Sequence, residues 1–158
     1  MMTNKRIEVL KQLLSEIETN INFKDRENQS VSKSTVGWQL DHTLKVFNVV
    51  SESIENSSPK ECERKFNFWR TILFPIGYFP RGKAKAPKYV LPPDIIKSED
   101  LKSQLLVAKE HVNTLNSLNK AMYFKHPIFG MLAKKQALRF LQIHTNHHLK
   151  IISDILNT

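Results

Sequence analysis

His144 and His148 stand four residues apart. On an α-helix that spacing brings two imidazoles off one face a single turn apart, so that their ring nitrogens can converge on one ion at about 2.0 to 2.1 Å. Both histidines fall on the stripe Ala137, Leu141, His144, His148, Ile151, Ile155, where a bundle helix would otherwise carry apolar side chains. Two neutral histidines buried side by side without partners would leave ring nitrogens unsatisfied, at a free-energy cost for each. The plainer reading is a pair of hydrogen-bonded core histidines, and H-x3-H alone recurs by chance. A third imidazole shifts the balance: His42, alone among the remaining histidines, sits in the middle of a helix on an apolar face, shared with Trp38, Val46 and Val49. Three protein ligands with the remaining positions left to water or substrate are the pattern of a catalytic rather than a structural metal site.

The other reactive side chains have weaker claims. His147 lies about 100° round the helix from the His144/His148 stripe and reads as a helix-interface or supporting residue. His111 falls off the apolar seam of its own helix and is expected to touch solvent, and His126, before a proline, reads as a turn or helix-entry residue. Met122, Met131, Phe124 and Phe129 are expected to fill one end of the core. Cys62 has no base beside it in the sequence that would make it a nucleophile.

Four apolar stripes must position the three histidines. Residues 5–21 place Ile7, Leu10, Leu14, Ile17 and Ile21 at spacings of three and four, and residues 36–55 form a helix apolar on most sides, with Leu40, Leu44 and Phe47 on a second flank. Residues 98–117 carry Leu101, Leu105, Ala108, Val112 and Leu115, with Ser98 as the expected N-cap. Residues 134–156 carry the histidines, behind an Ala133-Lys134 start that lacks a Ser, Thr or Asp cap. Ser58-Pro59-Lys60-Glu61 reads as a capping box that should open a shorter helix over residues 59–74, ending before Pro75. Residues 75–93, rich in proline with two glycines and a string of Lys and Arg, are expected to be a long loop of the kind that serves as a lid or binding surface. His126-Pro-Ile-Phe-Gly130 breaks the chain once more.

Two of these segments resemble a known family. Gly37-Trp38-Gln39-Leu40-Asp41-His42 is similar to the Trp-x3-His opening of the second helix in DinB-like (DinB/YfiT-like) proteins, and His126-Pro-Ile-Phe-Gly-x-Leu132 followed by His144-Thr-Asn-His147-His148 resembles the closing half of a DinB-like branch known only as a domain of unknown function. The resemblance covers effectively the whole chain, as one domain of residues 1–158. It implies an all-α four-helix bundle, up-down-down-up with a long crossover loop, and a zinc or nickel site made by His42, His144 and His148, the same three that the stripes select. It further implies a metal-dependent transferase using a low-molecular-weight thiol, or a hydrolase, acting on a small-molecule substrate, and it admits a homodimer. Asp41, Trp38 and His147 are the candidates to support the ligands from behind.

At 158 residues the chain can bury roughly 70% of its unfolded surface without a staple. The lone Cys62 cannot form an intramolecular disulfide and nothing at the start resembles a secretion signal, so the cytoplasm is the expected compartment. No apolar run reaches the ~20 residues needed to cross a bilayer, and no membrane partner is expected. The formal charge is +9, and residues 64–93 hold seven basic side chains, Arg64, Lys65, Arg70, Arg81, Lys83, Lys85 and Lys88, with no acidic one. Arg81, Lys83 and Lys85 are the candidates for attracting an anionic substrate. Two rival readings stand beside the enzyme: a stress-related or binding module whose metal is structural or absent, and a weak nucleic-acid-associated protein using residues 64–93. The second lacks, in sequence, the interleaved aromatics of a stacking platform.

Overall fold

The computed structural model describes residues 2–63, 65–83 and 85–157. Arg64, one of the seven basic residues above, lies outside them. Among the described residues there are five α-helices, α1 (Met2–Asn20), α2 (Val36–Glu55), α3 (Phe68–Ile76), α4 (Ser98–Ser117) and α5 (Lys134–Leu156), and one antiparallel hairpin, β1 (Tyr123–His126) with β2 (Gly130–Ala133). Single 3-10 turns occur at Ile21–Phe23, Pro59–Glu61 and Lys88–Val90.

The long helices form because their stripes have somewhere to go. Ile7, Leu10, Leu14, Ile17 and Ile21 are buried, as are Leu101, Leu105, Ala108, Val112 and Leu115 of α4, in one contiguous core with Leu40, Leu44, Phe47 and Leu141. Each of these side chains larger than alanine contributes on the order of 1.5–3 kcal/mol by leaving water. Both α1 and α2 pack on α4 and α5, which sets α1 and α2 at opposite corners of the bundle. Cross-helix contacts fix the directions. Asp41 and Asn48 of α2 both reach Gln104 of α4, and Glu55 reaches His111, so α2 and α4 run in the same sense. Gln39 meets His148 and His42 meets His144, so α5 runs against α2. Arg6 bonds to the carbonyl of Lys135, joining the start of α1 to the start of α5.

The start of α2, which carries the site, is fixed twice. Thr35 caps it, its Oγ1 accepting from the Trp38 amide at 3.1 Å, and Gly37 donates to the Lys24 carbonyl at 2.7 Å. A Cβ at Gly37 would lie 2.9 Å from that same carbonyl oxygen, so only glycine allows the approach.

Several expectations are corrected. The helix expected over residues 59–74 is a single turn, Pro59–Glu61, without a side-chain cap from Ser58, followed by the separate α3, which continues through Pro75. Two caps hold α3: Asn67 Oδ1 accepts from the Arg70 amide at 2.9 Å, and Gly77, at φ 71°, closes the end through its amide on the Leu73 carbonyl. One lost bond at Pro75 is offset by both ends being satisfied. Lys97, not Ser98, precedes α4, and it makes no side-chain cap bond. The segment around His126-Pro-Ile-Phe-Gly130 is a hairpin rather than a plain break, with Tyr123 opposite Ala133 and His126 opposite Gly130. That hairpin supplies the start that α5 lacked in sequence: the Lys134 amide donates to the Met122 carbonyl, and its Nζ reaches the carbonyls of Asn116 and Leu118. His111 keeps some contact with solvent, as expected, and its Nδ1 lies 2.7 Å from Glu55 Oε1.

Candidate metal centre

His144 and His148 project from α5 toward α2, and Gln39 and His42 project from α2 toward them. The imidazoles of His42, His144 and His148 meet between the two helices, with one nitrogen of each within 4.8 Å of the others. Ring centroids are 4.6 Å apart for His144 and His148, 4.9 Å for His42 and His148 and 5.3 Å for His42 and His144. His42 and His148 are buried, and His144 is partly exposed to a cavity.

Two of the rings are oriented by bonds from behind. His42 Nδ1 lies 2.9 Å from the Val90 carbonyl, and His148 Nδ1 lies 2.6 Å from Gln39 Oε1. A carbonyl can only accept, so each Nδ1 carries the proton and each Nε2 is left with a free lone pair. Trp38 stacks on His42 at 5.2 Å, and Phe140 stacks on His144 at 5.6 Å. Burial pushes all three histidines below their ordinary proton affinity, most strongly His144 and His148, where each neighbouring imidazole adds to the effect. Three neutral imidazoles, each with a ring nitrogen within 4.8 Å of the others, are the kind of donor set that a divalent cation needs. The residues therefore fit such an ion.

The supporting residues fall in different places. Trp38 touches the His42 ring directly. Asp41 faces away, toward α4: one oxygen accepts from Gln104 at 2.8 Å and the other pairs with Lys45 at 2.7 Å. His147 meets His148 edge-on at 5.0 Å and faces the backbone of Phe79, held neutral by burial and by the charge of Arg81. Gln39 and the Val90 carbonyl, the two groups that set the tautomers, were not singled out by sequence. Gln39 carried a signal, being a polar residue three positions before His42 on an apolar face. The carbonyl carried none, since it arrives on the loop that follows α3.

That loop is laid down against α2. Val90 is buried, and Lys45 Nζ binds the Leu91 carbonyl at 3.1 Å. Between the loop, α3, the hairpin and the histidines lies a cavity of about 1110 Å³, walled mainly by Val46, Val49, Leu73, Phe79, Phe129 and Phe140. Lys83 and Lys85 stand on its rim; Arg81 does too, but is paired with Asp154 at 2.6 Å.

His126 also lines this cavity. Its Nδ1 accepts from the amides of Ile128 and Phe129 at 3.0 and 3.2 Å, inside the hairpin turn it was expected to occupy. Burial among Phe124, Phe129 and Phe140 lowers its pKa to about 4, so the ring is neutral with its proton on Nε2. Cys62 is partly exposed and free.

No protein-family model matches the chain, and comparisons with curated proteins and with solved structures give no match either. No helix among the described residues is long and apolar enough to cross a membrane.

Proposed function

We propose that this chain is a metal-dependent enzyme of the DinB-like type, in which His42, His144 and His148 hold a zinc or nickel ion at the wall of the large cavity. The observation that carries the reading is the convergence of three neutral imidazoles, from two helices, beside space for a substrate. The helix directions support the bundle that goes with it. α1 and α5 share one sense, α2 and α4 the other, and the connection from α2 to α4 is the long crossover of an up-down-down-up arrangement.

When bound, such an ion lowers the pKa of a water or of a low-molecular-weight thiol and so supplies a nucleophile near neutral pH. The protein's own groups do the rest. Val90 and Gln39 keep the protons of His42 and His148 on Nδ1, away from the site. The mainly apolar walls of the cavity select a substrate with an apolar body. Lys83 and Lys85 draw an anionic group to the rim. His126, neutral and with its Nε2 proton free of the hairpin, can donate a hydrogen bond to a substrate oxygen. A structural ion would be expected to fill its coordination from protein alone, whereas three histidines facing a cavity leave positions open.

The test is elemental analysis of protein purified without a metal-affinity tag, followed by Co²⁺ substitution. Stoichiometric metal in the wild type, lost in His144→Ala and His148→Ala and kept in His111→Ala, is the expected result. A thiolate-to-metal absorption band on adding a low-molecular-weight thiol then favours the transferase, and its absence with turnover of an activated ester favours the hydrolase. Wild-type protein that retains no metal in excess ion overturns the reading.

A further inference from the structure

The outward face of α3 is apolar. Phe68, Trp69, Ile72 and Ile76 recur at helical spacing on the side turned from the core, and Phe66 precedes them; Phe66 is 80% exposed, Trp69 55% and Ile76 65%. The inward side is what ties α3 to the bundle. Phe74 is buried there against Phe129, and Arg139 binds its carbonyl at 3.0 Å. A helix on the surface of a globular protein ordinarily shows the reverse, with its polar face outward. Large apolar side chains gathered on one exposed face mark a surface that meets something else.

The charges beside this face say what. Lys83, Lys85 and Trp69 line the same cavity, with the exposed Lys88 three residues beyond Lys85, and none of the three lysines has an ion-pair partner among the described residues. No acidic residue occurs between residues 65 and 93. A second copy docked symmetrically through this face would place two lysine sets of one sign along one interface with no acidic residue of the segment to offset them, which disfavours a dimer here. Nucleic acid would meet the lysines and could stack on Phe68 and Trp69, but it would leave the aliphatic Ile72 and Ile76, on the same face, without an apolar partner. Aromatic and aliphatic side chains able to enter an acyl layer, bordered by cations at headgroup level, fit an anionic bilayer.

We propose that the α3 face, with Lys83, Lys85 and Lys88, docks this protein on the surface of an anionic lipid membrane. The lack of a spanning helix among the described residues bears on insertion across a bilayer and leaves such a surface contact open. In that pose the mouth of the cavity, which Trp69, Tyr89, Lys83 and Lys85 share, lies against the lipid. The inference does not depend on the metal reading, and its test contains no metal-dependent step.

The experiment uses the full chain with vesicles of phosphatidylcholine alone or of phosphatidylcholine with phosphatidylserine, at physiological salt. Co-sedimentation is expected only with the phosphatidylserine vesicles, together with a blue shift of tryptophan emission as Trp69 leaves water. Two double variants, Phe68→Ser with Ile76→Ser and Lys83→Glu with Lys85→Glu, change exposed side chains, keep Trp69 as reporter, and are expected to weaken partitioning at least about tenfold each. Unchanged circular dichroism shows that both still fold. No sedimentation with either vesicle, or binding undiminished in both variants, overturns the proposal. So does a wild-type dimer that the apolar variant dissolves without any vesicle binding, which would give the face to a second copy, or salt-sensitive oligonucleotide binding in its place.

Discussion

Gln39 Oε1 lies 2.6 Å from Nδ1 of His148, so a side chain of α2 decides which nitrogen of an α5 histidine is free. Gln39 is itself held, its Nε2 3.3 Å from Ser32 Oγ. The amide therefore has its oxygen turned to the histidine, and the imidazole has its lone pair turned to the site.

Replacing Gln39 by Leu keeps the bulk and removes that acceptor. Metal affinity, measured by competition with a chelator, should fall by about 10–100-fold, the usual effect of losing a partner behind a ligand histidine. The helical spectrum should not change. Affinity equal to the wild type would mean that His148 is not oriented by this bond.

His126 gives the protein an acid sensitivity of known sign. Its pKa is about 4 when folded against an ordinary value of 6.5, so between those values the unfolded chain takes up a proton that the folded one refuses. Its contribution to stability is complete above about pH 6.5 and declines as the pH falls toward about 4. In metal-free protein, His126→Asn should make the fall of Tm over that window shallower. A slope identical to the wild type would contradict a neutral, buried His126.

Lys45 links the loop to the bundle through two bonds, one to Asp41 and one to the Leu91 carbonyl. Lys45→Met should lower stability by roughly 2 kcal/mol, because the Asp41 carboxylate, whose side chain is 3% exposed, loses its counter-charge. Adding Asp41→Asn should recover part of the loss in urea titration, since an amide can keep the Gln104 contact without a buried charge. A double variant no more stable than the single one would argue that the loop contact, not the ion pair, dominates.

Gly77→Ala tests the end of α3. The position has φ 71°, and a Cβ there would lie 2.6 Å from Nη2 of Arg139. About 1–2 kcal/mol of strain is expected from the backbone alone, read as a lower urea midpoint. Displacing Arg139 from the Phe74 carbonyl should add to it. An unshifted midpoint would show that the turn relaxes freely.

Much of this architecture was legible because burial leaves a period in sequence. The stripes of α1, α2, α4 and α5 each ran for several turns, and His42, His144 and His148 stood out as polar residues on those stripes. The elements that were misread are short and held by features without a period. α3 depends on Asn67 and Gly77 at its ends, which outweigh a proline that reads as a stop signal. The hairpin has strands of four residues, too few for an alternating pattern to register. The contact of His111 with Glu55 left no trace in sequence because the partner lies on another helix. The Val90 carbonyl could not have been found at all, since a backbone oxygen has no residue type.

His42 belongs to α2 and the other two imidazoles to α5, with more than half of the chain between them. As the polypeptide is made, α2 is complete long before its counterpart exists, and a lone imidazole holds an ion poorly. Even the His144/His148 pair offers only two donors until α5 has docked. A donor set of three therefore exists only once α5 has docked on α2, and a chain arrested or nicked before that pairing would lack it.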